Sequence, residues 1–295
     1  MSFNIPLTGS MAKGPLGLVH LPRMWQKALL KKTGVLPADY VFADRGFDQR
    51  MMEHMGIDPA TFLPFLETMP TYLETEAWVR ANATNPGAVA ETNAMILNHP
   101  MRAESAQRFR AELGISDATI DNGAIVNNLD DLASLHKYVV AHRGKPVEVI
   151  YPAVSSLATG PLGILHLPRL WAKAIIKAIG ALPEGWHSGK GPLDEQCAET
   201  IGMDLAASVQ FCSELPTYIA YEGWVREHAT KLDPATIDAW NERMRTREKP
   251  DHVAGPEREV LGIADQNERR GVMLNDVLDW HYFREQLLAR PASTV

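Results

Sequence analysis

The residues specify an all-α chain of two homologous compact helical domains, and three observations carry that expectation. The block Gly14–Lys31 returns at Gly160–Lys177 with twelve of eighteen positions identical. The offset of 146 then holds without a gap through Asp48/Asp194, Glu53/Glu199, Asp58/Asp204, Tyr72/Tyr218, Trp78/Trp224 and Arg80/Arg226. Apolar residues recur at helical spacing through both copies, and no convincing alternating strand interrupts them. A repeat of this length is a duplicated domain, since solenoid periods are shorter. The expected domains are 1–146 and 147–295, related by a pseudo-twofold axis.

In copy one, Gly14-Pro-Leu-Gly17 reads as a loop. Pro22 suits the first turn of a helix, where its missing N–H is not needed. Leu21, Met24, Trp25, Ala28 and Leu29 form one apolar face, with Arg23, Lys27 and Lys31 opposite, and Gly34 ends the helix. Asp48 reads as the cap of a short helix carrying Met51, Met52 and Met55. Asp58-Pro59 opens the next helix, inside which Pro64 is a kink or a break. Thr71 and Glu74 have capping-box spacing, and the helix they open runs through Trp78 and Arg80. Further helices are expected over Ala88–Leu97, Ala103–Leu113 and Leu129–His142, the last capped by Asn128. Val147–Tyr151 reads as an extended connector. In copy two, Leu261-Gly262-Ile263 answers Leu113-Gly114-Ile115 at an offset of 148. Leu274, Asp276 and His281 answer Leu129, Asp131 and His136 at an offset of 145.

With 295 residues the chain can bury two cores, and 45% hydrophobic against 22% charged residues is an ordinary soluble balance. A net charge of −7 argues against a general nucleic-acid binder but allows a local cationic pocket. The two cysteines, Cys197 and Cys212, form no Cys-x-x-Cys and read as buried thiols. No secretory leader or membrane-spanning run is visible, so the expected compartment is the cytoplasm and no membrane partner is expected.

His20-Leu21-Pro22-Arg23, Lys27-Ala28, Asp48-Gln49, Glu53 and Gly56-Ile57-Asp58 form a pattern that resembles a small bacterial domain family of unknown function, usually found as a single copy. His166 through Arg169, Lys173-Ala174, Asp194 and Glu199 repeat it. The resemblance covers about the first half of each copy. It implies no activity, and the tandem arrangement departs from it.

Each candidate site residue has a structural and a functional reading. Arg23 and Arg169 place a cation in a helix's first turn, where the helix end is already positive. Either a carboxylate compensates, Asp48 or Glu53 being the candidates, or a bound anion does, together with Lys27 or Lys173. His20 and His166 are structural hydrogen-bonding groups or general acid/base catalysts. Asp48 and Asp194 cap helices, or orient the histidines or hold the arginines. Tyr72 and Tyr218 are core residues unless their hydroxyls reach a pocket. Trp25/Trp171 and Trp78/Trp224 read as core.

No cofactor is expected, because neither a Gly-x-Gly-x-x-Gly after a strand nor a P-loop occurs. His-Glu-x-x-His is missing too. The rival metal reading needs a scattered set, His20, Asp48, Glu53 and His136 with His166, Asp194, Glu199 and His281. The loops at Ala43–Phe47 and Gly189–Leu193 differ, so two unlike pockets, or one working and one degenerate, are expected.

The reading is a cofactor-free acid/base enzyme, a lyase or isomerase, on a small anionic or aromatic metabolite. His20, Asp48, His166 and Asp194 would be catalytic. Arg23, Lys27, Tyr72, Arg169, Lys173 and Tyr218 would bind substrate. The alternatives are a non-catalytic small-molecule binding or scaffold protein and a non-haem metal enzyme. Self-association stays open, and because a fused repeat can stand in for a homodimer, a pocket between the copies is as plausible as one inside each.

Overall fold

In the first helix of the computed structural model, α1 (Leu21–Lys32), every residue from Leu21 to Leu30 is buried. The model describes residues 3–290. The sequence assigned Arg23 and Lys27 to a polar face, but α1 runs through the interior. Only Lys31 and Lys32, at its end, are exposed. Its counterpart α8 (Leu167–Ala178) is buried in the same way from Leu167 to Ile176. Two buried helices carrying buried cations require internal carboxylates, because an unpaired charge out of water costs several kcal/mol.

The described residues hold fourteen α-helices and no β-strand. After α1 come α2 (Gly46–Met55), α3 (Pro59–Leu66), α4 (Tyr72–Asn82), α5 (Val89–Leu97), α6 (Ala103–Leu113) and α7 (Gly123–His142). After α8 come α9 (Pro192–Ile201), α10 (Leu205–Cys212), α11 (Tyr218–His228), α12 (Pro234–Thr246), α13 (Asp251–Leu261) and α14 (Gly271–Ala289). Asp58 and Asp204 cap α3 and α10 through backbone N–H groups, and the Thr71–Glu74 capping box is present. Pro64 sits inside α3 without ending it. Residues 147–151 join no helix or strand, and Ile150 N–H donates to Ala181 at 2.8 Å.

Three expectations need correction. Asp48 and Asp194 cap nothing: they lie in the first turns of α2 and α9, behind Arg45 and Gly191 at the cap positions. Asn128 is likewise no cap, since α7 starts at Gly123 and Asn122 accepts from Ala124 and Ile125. The last helices correspond at 148 rather than 145. Gly123 N–H donates to His99 and Gly271 N–H to Arg247, each at 2.9 Å. Asp131 therefore corresponds to Asp279, and His136 to Arg284. The misreading arose because Leu-x-Asp occurs at both registers of an apolar helix.

The long helices α7 and α14 tie the two blocks together. α7 packs on α8 and α11, while α14 packs on α1 and α4. Trp25 and Tyr72 of the first block stack edge-on against Phe283 and Trp280 of the second. Carbonyls in the turns that follow α3 and α10 are gripped across the same boundary. Arg284 Nε donates to Met69 at 2.7 Å, and His136 Nε2 donates to Leu215 at 2.9 Å. Met69 and Leu215 each hold a left-handed backbone, φ 57° and 56°. Trp25, Trp171, Trp240 and Trp280 are fully buried and anchor the core, where a buried large apolar side chain contributes roughly 1.5–3 kcal/mol.

Trp78 and Trp224 are only half-buried, contrary to the core assignment. They stack on Phe65 and Phe211. Met51, Met52 and Met55 are core, as are the free thiols Cys197 and Cys212.

Candidate functional site

His20 and His166 occupy the cap positions of α1 and α8 in the left-handed region, φ 68° and 74°. A branched-ring residue there is strained, and bonds to both ring nitrogens hold it. Ser10 Oγ lies 3.0 Å from His20 Nδ1, and His20 Nε2 lies 2.7 Å from Asp48 Oδ1. In the second block Ser156 Oγ is 2.9 Å from His166 Nδ1, and His166 Nε2 is 2.9 Å from Asp194 Oδ1. A carboxylate only accepts, so each ring donates from Nε2 and accepts the serine proton at Nδ1.

Burial pulls each histidine down to about 4, against the opposing pull of its aspartate, so both rings are neutral at pH 7. Burial by itself would raise the aspartates. The histidine hydrogen bond and the lysine charge outweigh it, leaving Asp48 well below the usual carboxylate range and Asp194 at about 2.

The lysines complete the chain. Lys27 Nζ donates to both Asp48 oxygens, at 2.9 and 2.6 Å, and to Val41 O at 2.8 Å. Lys173 Nζ makes a single hydrogen bond, to Asp194 Oδ1 at 2.6 Å. Both ammonium groups are pulled below the ordinary lysine range by burial, with the neighbouring arginine adding to the effect and the aspartate opposing it.

The arginines do not pair with Asp48 or Glu53. Arg23 forks onto Asp131 and also donates to Thr8 O and Pro6 O. Arg169 donates to Asp279 at 2.5 Å and to Pro152 and Val154 carbonyls. Burial opposes each charge, and the aspartate more than restores it. Tyr40 and Trp186 stand at matching positions and perform one task. The Tyr40 hydroxyl donates to Asp131 at 2.9 Å and the Trp186 indole to Asp279 at 2.7 Å.

Each His–Asp–Lys–Arg set borders a cavity. The first, about 380 Å³, is lined by His20, Arg23, Lys27 and Asp48 together with Tyr40 and Asp130. The second, about 640 Å³, is lined by His166, Arg169, Lys173 and Asp194 together with Trp186 and Tyr282.

Tyr72 and Tyr218 lie elsewhere. Their hydroxyls donate to Glu76 at 2.7 Å and Glu222 at 2.5 Å, inside the core. They border neither of these cavities. The same pairs explain the glycines before them. A Cβ on Gly14 would lie 2.3 Å from the Tyr72 ring, and one on Gly160 2.3 Å from Glu222. Gly14 and Gly160 are thus packed on the core, and the Gly-Pro-Leu-Gly loops line neither of the two cavities.

The scattered metal set does not assemble. Glu53 is exposed and bonded to Gln49, and His136 is spent on Leu215. His281 lies with Tyr72 at a small separate cavity. Among the described residues no three His, Cys, Asp or Glu side chains gather as a metal ion requires.

Sequence reasoning missed Ser10, Ser156, Asp131 and Asp279. The serines are fully buried or nearly so and stand ten residues before their histidines. The recurrence of Ser at an offset of 146 was the available signal.

No curated protein and no solved structure matches the chain. Residues 10–128 match a family described as a domain of unknown function, DUF5069, a span that contains Ser10, His20, Arg23, Lys27 and Asp48.

Proposed function

We propose that the chain is a duplicated-domain acid/base enzyme, a lyase or isomerase acting on a small anionic metabolite, with a lysine as the proton carrier. The observation that carries this reading is the chain Ser–His–Asp–Lys, which ends at a cavity in both blocks. The histidines have no ring nitrogen left for a substrate, so their part is to orient the aspartate. The aspartate, ionised at pH 7, holds the ammonium group.

Lys173 is the better placed of the two lysines. Its one bond to Asp194 leaves ammonium protons to give, whereas Lys27 also spends one on Val41. In this reading Lys173 gives its proton to the departing group, and the amine so formed takes up the proton lost from the substrate carbon, which restores the ammonium ion. Burial has already loosened that proton.

The equivalent bonds at offsets of 146 and 148 support a division into domains 1–146 and 147–295 about a pseudo-twofold axis. The reciprocal packing of α7 and α14 across the boundary resembles an isologous dimer interface. Two buried free thiols support a reducing, cytoplasmic setting.

A second reading is ligand binding without turnover. It is favoured by the histidines, whose ring nitrogens are all engaged inside the protein, and by the pairing of each arginine with an internal aspartate. Proton–deuterium exchange separates the two. Small keto and hydroxy acids, with and without phosphate, are incubated with the protein in D₂O and followed by NMR. The acid/base reading requires exchange at a carbon-bound hydrogen and a loss of roughly 10²–10⁴-fold in Lys173→Met, the usual worth of such a group. Exchange unaltered by that substitution, or absent across the panel, contradicts it.

A further inference from the structure

The two cavities differ in charge. The first is lined by three cations, Arg23, Lys27 and Arg45, against three carboxylates, Asp39, Asp48 and Asp130. The second has five cations, Arg169, Lys173, Lys190, Arg247 and Lys249, against three carboxylates, Asp194, Glu257 and Asp279. Most of these charges are spent. Arg169 pairs with Asp279, Lys173 with Asp194, and Lys249 with Glu257 at 2.5 Å.

Arg247 is different. Its Nη1 is buried and has no hydrogen-bond partner. Among the described residues no carboxylate faces its guanidinium, whose affinity for a proton is lowered by burial and by Arg243. A buried guanidinium nitrogen without an acceptor is costly, and the half-buried Arg247 borders the cavity with its charge uncompensated. Lys190 stands exposed on the loop that differs between blocks. The first block has His99 where the second has Arg247, and Asp130 where the second has Leu278.

Aromatic rings line the same cavity. Trp186 and Tyr282 meet edge to face with centroids 5.3 Å apart. Tyr282 in turn stacks on Tyr151 at 5.7 Å. The Trp186 indole is fixed by its bond to Asp279, so the ring is held in place. Leu193, Val253 and Leu278 add apolar surface.

We infer that the second cavity is the ligand-holding one and takes a doubly charged small anion carrying a flat apolar ring, an aryl phosphate in chemistry, with the anion on Arg247 and Lys190 and the ring on Trp186 and Tyr282. The two-charge excess of the lining matches a dianion, and the guanidinium fork suits phosphate oxygens. The first cavity, neutral in balance and bordered by Asp39 and Asp130, does not select anions. This inference rests on the acid/base reading only in taking the second cavity as its substrate site.

The test is a calorimetric titration of the full chain with phenyl phosphate, inorganic phosphate and benzoate at low salt. Arg247→Ala and, for the first cavity, Arg45→Ala are titrated alongside, with the fold of each checked by circular dichroism. The expected result is saturable binding of phenyl phosphate, tighter than either fragment and weakened by salt. Arg247→Ala should weaken it roughly 10- to 100-fold, as loss of charge-assisted hydrogen bonds does. Arg45→Ala should leave it unchanged. Three results overturn the inference: no saturable binding, equal affinity in folded Arg247→Ala, or inorganic phosphate binding as tightly as phenyl phosphate. The titration reads no turnover, so intact binding without proton exchange contradicts the acid/base reading alone.

Discussion

At the scale of single residues, buried charge dominates this protein. Lys27 and Asp48 are both almost wholly enclosed, and removing one partner of such a pair strands the other. Asp48→Ala and Asp194→Ala are therefore expected to destabilise the fold by about 3–5 kcal/mol, measured by urea unfolding. A cost near zero would mean that the lysines escape to solvent. The histidines give a pH signature. Their folded pKa of about 4 lies below the unfolded 6.5. Their contribution to stability is present above pH 6.5 and lost as pH falls through 4. Glu222 has the opposite sign, because burial raises its carboxyl from 4.5 to about 7. Its contribution is present below pH 4.5 and lost as pH rises through 7. Long-range ¹H–¹⁵N spectra should show both His20 and His166 as neutral Nε2–H rings at pH 7. A titration midpoint near 6.5 would contradict the hydrogen-bonded chain. His20, Arg23, Lys27 and Asp48 were all legible as candidates, because unusual residues in a repeated block stand out. Their pairing was not. Asp131 lies 108 residues from Arg23, and nothing local marks an aspartate in an apolar helix as the partner of a distant arginine.

At the scale of elements, caps and periodicity were readable wherever the signal was local. Asp58, Asp204 and the Thr71 capping box follow from short-range hydrogen bonding, and α6 ends at Gly114 in the left-handed conformation that glycine favours. Burial of α1 on all sides was not readable. Its charged row is satisfied by residues from other helices, so the pattern alone describes a surface helix. The same limit misplaced Trp78 and Trp224. A tryptophan within a helix marks an element that packs, but not how deeply the ring lies. Trp171→Ala, at a fully buried position, is expected to cost about 3–5 kcal/mol. Trp224→Ala should cost clearly less, since its side chain is only half-buried. Equal costs in denaturant titrations would contradict the assigned depths. Gly14→Ala and Gly160→Ala should also destabilise, because each new Cβ collides with a buried Tyr–Glu pair.

At the scale of the whole molecule, the repeat made the all-α architecture plain, while the packing of the long helices across the boundary lay beyond its reach. The copies diverge in sequence through α7 and α14, the very helices that cross between blocks. Because α14 covers Trp25 and α7 covers α8, neither block closes its core alone. Thermal unfolding is expected as one transition, with calorimetric and van't Hoff enthalpies in agreement. Two separate transitions would mean independent domains. The same divergence gives the two cavities unlike linings, and that difference is the centre of the functional account. A crystal structure of the protein with phenyl phosphate tests it most directly. The account predicts the phosphate on Arg247 with the ring against Trp186 and Tyr282, within reach of Lys173, and no ligand beside Lys27. Phosphate bound in the first cavity with the second empty would contradict it.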